Sequence, residues 1–120
     1  MRTTTGLLAA AFVIAAGSLS AQQFPAKPIR MLVPFAPGGV VDTSTRILSE
    51  RLGWQFVVDN RPGAHGFIAV TTAARGAPDG YTLLMAHTGE FAVNPAVFKE
   101  LPYDVDRDFT PITMVSDAPM

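Results

Sequence analysis

Short apolar runs, separated by turns rich in glycine and proline, constrain this chain most, because few folds accommodate them. Ile29–Phe35 reads IRMLVPF, apolar except for Arg30, and Pro37-Gly38-Gly39 then breaks it. A run that is apolar at successive rather than alternate positions suits a strand covered on both faces, as in a parallel sheet. Gln55–Asp59 (QFVVD) and Tyr81–Met85 (YTLLM) read as two further strands. Thr110–Val115 (TPITMV) is expected to be a fourth, with Pro111 placing its start at an edge or outside the ladder. Between them lie helical patterns. Thr43–Leu52 carries Ile47, Leu48 and Leu52 at helical spacing, with Asp42 in front as N-cap candidate and Gly53 behind as left-handed stop. Phe67–Arg75 is Ala-rich and reads as a second helix, and Phe91–Phe98 as a short, irregular third, because Asn94-Pro95 falls inside it. Strand and helix alternate throughout, which implies an α/β fold with a parallel sheet flanked by helices.

The first residues read differently. Arg2 is followed by an uncharged apolar run, Leu7–Ala16, and then by the small and polar residues Gly17, Ser18, Ser20 and Ala21. That order is the plan of a secretory signal peptide, and the run is well short of the roughly 20 residues that span a bilayer. Residues 1–21 are therefore expected to be a signal peptide cleaved after Ser20 or Ala21, and residues 22–120 the exported part. With no cysteine near the cleavage site there is no lipoprotein anchor, so the product is expected to be free in the periplasm. The absence of cysteine from the whole chain also excludes disulfides, thiolate metal sites and a cysteine nucleophile. Nine basic against ten acidic side chains give no electrostatic footprint for nucleic acid.

In open α/β sheets ligands sit beyond the carboxyl ends of the strands, so the three loops that leave those ends carry the functional reading. In the first, Pro34–Asp42, two glycines let main-chain N–H groups approach a ligand, and the helix start behind them favours an anion. Spacing alone equally allows a turn needed only for packing. The loop holds no nucleotide-binding fingerprint. The second, Asn60–Gly66, offers Arg61 either as a carboxylate clamp or, on balance, as a brace on loop carbonyls. His65 reads as an exposed loop residue rather than a donor to a ligand. The third, Ala86–Glu90, offers the His87 ring, the Thr88 hydroxyl and the Gly89 N–H. Glu90 is awkward in a site for carboxylates, and is expected to face solvent or cap the next helix. No catalytic residues are assigned, since Ser44 lies outside a G-x-S-x-G elbow. No metal site is assigned either: two histidines lack zinc spacing, and Asp104, Asp106 and Asp108 lack the glycine and glutamate of a calcium loop. The aspartates read instead as a solvated acidic connector. No cofactor is implied.

Six segments in order carry a resemblance: F-P-A-K-P-I-R-M-L-V-P-F-A-P-G-G-V-V-D (24–42), V-V-D-N-R-P-G-A-H-G (57–66), A-P-D-G-Y-T-L-L-M (77–85), N-P (94–95), L-P-Y-D (101–104) and D-F-T-P-I (108–112). The chain resembles the Bug receptors, the extracytoplasmic solute receptors of tripartite tricarboxylate transporters. The resemblance implies a type II periplasmic-binding-protein fold, of which residues 22–120 would form the N-terminal portion of the first α/β lobe. It implies a small di- or tricarboxylate-like organic acid as ligand, membrane permease subunits as partners, and no enzyme activity. Carried over by position, the ligand-binding residues would be Phe35, Ala36, Pro37, Gly38 and Gly39, then Ala64, His65 and Gly66, then His87, Thr88 and Gly89, with Asp42 capping the helix. Three departures bear on the pocket. Val40 and His65 stand where the family usually has glycine, and Glu90-Phe91 where it often has Thr-His. The first helix also reads about one turn short. The chain ends after the expected fourth strand, at about a third of the family's mature length, so it reads as a fragment. The alternatives are a remnant without ligand function and a small periplasmic module that pairs through its sheet edge.

Overall fold

A computed structural model describes residues 23–117; the expected signal peptide lies outside them. The fold is built on β1 (Ile29–Val33), the middle strand of a three-stranded parallel sheet. β2 (Phe56–Asn60) lies on one side, in register from Ile29 opposite Phe56 to Val33 opposite Asn60. β3 (Thr82–Leu84) lies on the other, from Arg30 opposite Thr82 to Leu32 opposite Leu84. The strand with two neighbours is also the one whose apolar residues, Ile29 and Met31–Val33, are all buried. Ile29, Leu32 and Val33 are wholly buried, whereas Val57 on the edge strand β2 is 53% exposed.

Two helices close over this strand. α1 (Val40–Leu52) contributes the buried Thr45, whose hydroxyl donates to the Val41 carbonyl at 2.7 Å and so is not left unsatisfied. α2 (Phe67–Ala74) contributes Ala69 and Val70, both fully buried. Gly53 ends α1 in the left-handed conformation, φ 63°, with its N–H returned to the Glu50 carbonyl. That is the role expected of it. α1 begins at Val40, three residues earlier than the sequence suggested, which recovers most of the turn it had seemed to lack. Gly39 is the N-cap residue, and Asp42 stands inside the first turn.

After β3 the chain enters a π turn, Gly89–Val93, that runs directly into α3 (Asn94–Val97). Pro95 has no N–H to donate and its ring crowds the carbonyl four residues back, so α-helical spacing is unfavourable there. The wider turn, with the Asn94 N–H on the Gly89 carbonyl, accommodates it. The acidic connector is more ordered than expected: Asp104 caps a short helix, α4 (Val105–Asp108), by accepting the N–H groups of Asp106 and Arg107.

The expected fourth strand, Thr110–Val115, is not formed. The segment from Phe109 to Asp117 is irregular, with Ile112 and Met114 about three-quarters exposed at 76% and 75%. A strand needs a partner for its main-chain donors and acceptors. Pro111 lacks a donor, and no described strand pairs with the residues after it. Composition alone does not make a strand.

Because β1 carries the core, Leu32→Ala should cost about 3 kcal/mol of unfolding free energy, and Val57→Ala on the edge strand less than about 1. Urea denaturation of both variants checks this; equal losses would contradict the central role of β1.

Candidate ligand-binding site

The order β2-β1-β3 creates a switch point, since the chain leaves β1 toward β2 and returns past it to β3. In such sheets the crevice for a ligand opens there, beyond the strand ends. The three loops after Val33, Asn60 and Leu84 all emerge at this end. The first and third flank the switch point and touch, the His87 ring standing edge-on to Phe35 at 5.8 Å.

Asp42 organises the first loop. It is almost fully buried, at 2% exposure. Its Oδ2 accepts the Gly38 N–H at 2.9 Å and Arg46 Nε at 3.0 Å; its Oδ1 accepts Arg46 Nη2 at 3.1 Å and Asn60 Nδ2 at 2.9 Å. Asn60 Nδ2 also donates to the Phe35 carbonyl at 3.0 Å, tying the end of β2 to the first loop. Asp42 therefore does stabilise the helix start, though by reaching back from the third helical position rather than from the N-cap. Gly38 takes φ 85°, a conformation that glycine alone adopts cheaply. Val40, the first residue of α1, is 85% exposed on the rim.

The second loop is the most strained part of the chain. Gly63, Ala64, His65 and Gly66 all have positive φ, at 109°, 47°, 53° and 82°. For Ala64 and His65 this is uncommon and must be held by surrounding contacts. The His65 ring rests against Phe98 and Phe67, with centroids at 5.4 and 6.3 Å. Its carbonyl accepts Asn94 Nδ2 at 2.9 Å, and Asn94 also donates to the Tyr103 hydroxyl, which in turn donates to the Glu90 carbonyl at 2.6 Å. Asn94 and Tyr103 are both buried. This buried polar chain fixes the loop, and nothing in the sequence beyond the N-P and L-P-Y-D motifs signalled it. Arg61 is a brace, as the sequence favoured, but on a carboxylate rather than on carbonyls. It pairs with Asp59, which also holds Arg30. Together, Arg30 first, they keep the Asp59 carboxyl below its ordinary range despite partial burial.

The third loop is shorter than expected, because Gly89 and Glu90 belong to the π turn. The Gly89 N–H, expected to be free, donates to His87 Nδ1 at 3.2 Å. An accepting Nδ1 leaves Nε2 as the ring's N–H donor. Glu90 does not face solvent. It is 4% exposed, and its Oε2 accepts the His87 N–H at 2.9 Å, closing the helix start from a buried seat.

Of the expected binding residues, then, Gly38, Gly66 and Gly89 spend their N–H groups inside the protein, on Asp42, the Gly63 carbonyl and His87. Gly39 makes only a long contact to the Ala36 carbonyl, 3.5 Å. Among the described residues, the N–H groups of Ala36, Ala64, His65 and Thr88 have no acceptor. Left-handed and helix-start N–H groups of this kind form concave anion sites. Two concavities among the described residues lie elsewhere: about 480 Å³ along Phe67, Thr71 and Arg75 on the outer side of α2, and about 320 Å³ at Phe91 and Leu101. Neither is lined by a residue of the three loops.

Comparison with known proteins agrees with this architecture. The family described as "Tripartite tricarboxylate transporter family receptor" matches residues 41–120. BugT of Bordetella pertussis is 42% identical over 110 residues, covering 88% of this chain and 34% of that protein. Among solved structures, periplasmic binding protein BugD is 42% identical with TM-score 0.62, covering 68% of this chain and 28% of its own. MatC from Rhodopseudomonas palustris, with bound malate, is 40% identical with TM-score 0.66, covering 73% and 31%. The fold thus defines part of a periplasmic-binding-protein architecture. The chain belongs to the tripartite tricarboxylate transporter receptor family, the family of the Bug proteins. It spans about a third of the length of these relatives. The family is one of solute receptors and not of enzymes.

The Asp42 arrangement has a pH signature. The Arg46 guanidinium foremost, then the Gly38 N–H and Asn60, hold the Asp42 carboxyl far below the ordinary carboxylate range. Its contribution to stability is complete above that range and is lost as pH falls through the lowered value. Wild type should therefore lose more stability between pH 6 and pH 3 than Asp42→Asn, read from urea midpoints at each pH. Parallel losses would contradict the assignment.

Proposed function

We propose that this chain is the loop-bearing part of a periplasmic receptor that binds a small di- or tricarboxylate-like organic acid for a tripartite tricarboxylate-type permease. Residues 1–21 would direct its export and be removed. The observation that carries the reading is the convergence of three loops on one end of the sheet with unsatisfied main-chain donors: Ala36 in the first, Ala64 and His65 in the second, Thr88 in the third. The chain's net charge of −1 provides no long-range attraction for an anion, so recognition falls to these local donors and to His87 Nε2. Phe35, Pro37, Gly38, Gly39, Gly66 and Gly89 then act by shape, keeping the approach open and the donors aimed. Family membership and the malate carried by MatC support a carboxylate as the ligand class.

Gly39 offers a clean test. Its backbone is extended, φ −73° and ψ 170°, so a side chain is tolerated there, and a Cβ would meet only the Ala36 carbonyl at 3.5 Å. Gly39→Val should still fold, with a modest drop in thermal midpoint because Val is a poorer N-cap than Gly, while weakening malate binding by about tenfold or more, the scale of one charge-assisted hydrogen bond. Isothermal titration measures both proteins. Unchanged affinity in the folded variant would remove the first loop from the site.

A further inference from the structure

We infer that Glu90 sets the ligand class of this site: it favours a small carboxylate that also carries a hydrogen-bond donor, an ammonium before a hydroxyl, over an unsubstituted dicarboxylate. The inference rests on the receptor reading above and names the substrate within it.

Glu90 sits where the second and third loops meet. Its side chain lies over Gly66, so that a methyl on Gly66 would fall 2.6 Å from Cγ and 2.7 Å from Oε1. The carboxylate thus stands at the start of α2, the place in the second loop where a ligand carboxylate would otherwise be favoured. It is 4% exposed, yet none of the ion pairs among the described residues includes it. Oε2 accepts one N–H, from His87; Oε1 accepts none from the described residues. Among the described residues no buried side-chain oxygen is both sealed and unpartnered, so Oε1 is not fully closed off. A carboxylate can accept about four hydrogen bonds, and a largely buried one with a single protein donor is under-satisfied. A ligand ammonium or hydroxyl satisfies it. A second ligand carboxylate placed there meets a like charge in a poorly solvated setting, which is unfavourable.

Succinate, malate and aspartate share a four-carbon dicarboxylate skeleton and differ at one carbon, bearing hydrogen, hydroxyl or ammonium. Calorimetric titration of the chain as it accumulates in the periplasm should give affinities in the order aspartate, malate, succinate, with aspartate ahead of succinate by about tenfold or more. In Glu90→Gln, which keeps the shape and can still accept the His87 N–H, that ratio should collapse toward one. Should Glu90→Gln not fold, Glu90→Asp, which withdraws the carboxylate by one methylene, should reduce the ratio instead. Succinate binding as tightly as aspartate to wild type would overturn the inference and leave the receptor reading standing, as would an unchanged ratio in a folded variant. Binding of none of the three to wild type would overturn the receptor reading and this inference with it.

Discussion

The buried carboxylate of Asp42 is the interaction on which the candidate site depends. One side chain gathers a loop N–H, a guanidinium one helical turn on, and the amide of a residue at the end of the neighbouring strand. Together they lock the first loop to α1 and to β2, and Asn60 completes the lock through the Phe35 carbonyl. A buried charge left without such partners is costly, so the arrangement is cooperative: removing one member exposes the others to the full penalty. The second and third loops have their own anchor in Asn94, Tyr103 and Glu90. Two buried polar clusters thus hold three loops, while the apolar core beneath supplies the platform.

This division explains why the loops can be strained without the fold failing. Ala64 and His65 occupy left-handed conformations that cost free energy, and the His65 carbonyl is held from below by a buried asparagine. The glycines offer fewer free N–H groups than their number suggests. Gly38, Gly66 and Gly89 turn their N–H groups inward, so they shape the surface on which neighbouring donors are displayed. A site of this kind leaves little side-chain signature, since its donors belong to the main chain.

What was legible in the sequence follows the same logic. The three strands and two longer helices were visible because burial on β1 and the spacing on α1 are local patterns, and Gly53 marked the helix end by a local conformational need. The loops were also visible, as breaks at fixed places after strands. Long-range polar contacts were not. No pattern around Glu90 announces that it folds over Gly66, and an acidic residue in a loop ordinarily faces water. Asp42 was recognised as a cap, but its bonds to Asn60 and Arg46 needed the fold. Thr110–Val115 failed for the converse reason: apolar composition was present, but strand formation is decided by a partner, not by the segment.

The central claim is that the loops beyond Val33, Asn60 and Leu84 form one anion-binding face. Backbone amide NMR of the uniformly labelled chain, titrated with malate, tests it most directly. The account predicts saturable shifts concentrated at Ala36, Gly39, Ala64, His65 and Thr88, with the amides of Thr71 and Arg75 on the outer side of α2 unmoved. Saturable shifts centred on that outer groove, with the three loops silent, would contradict it.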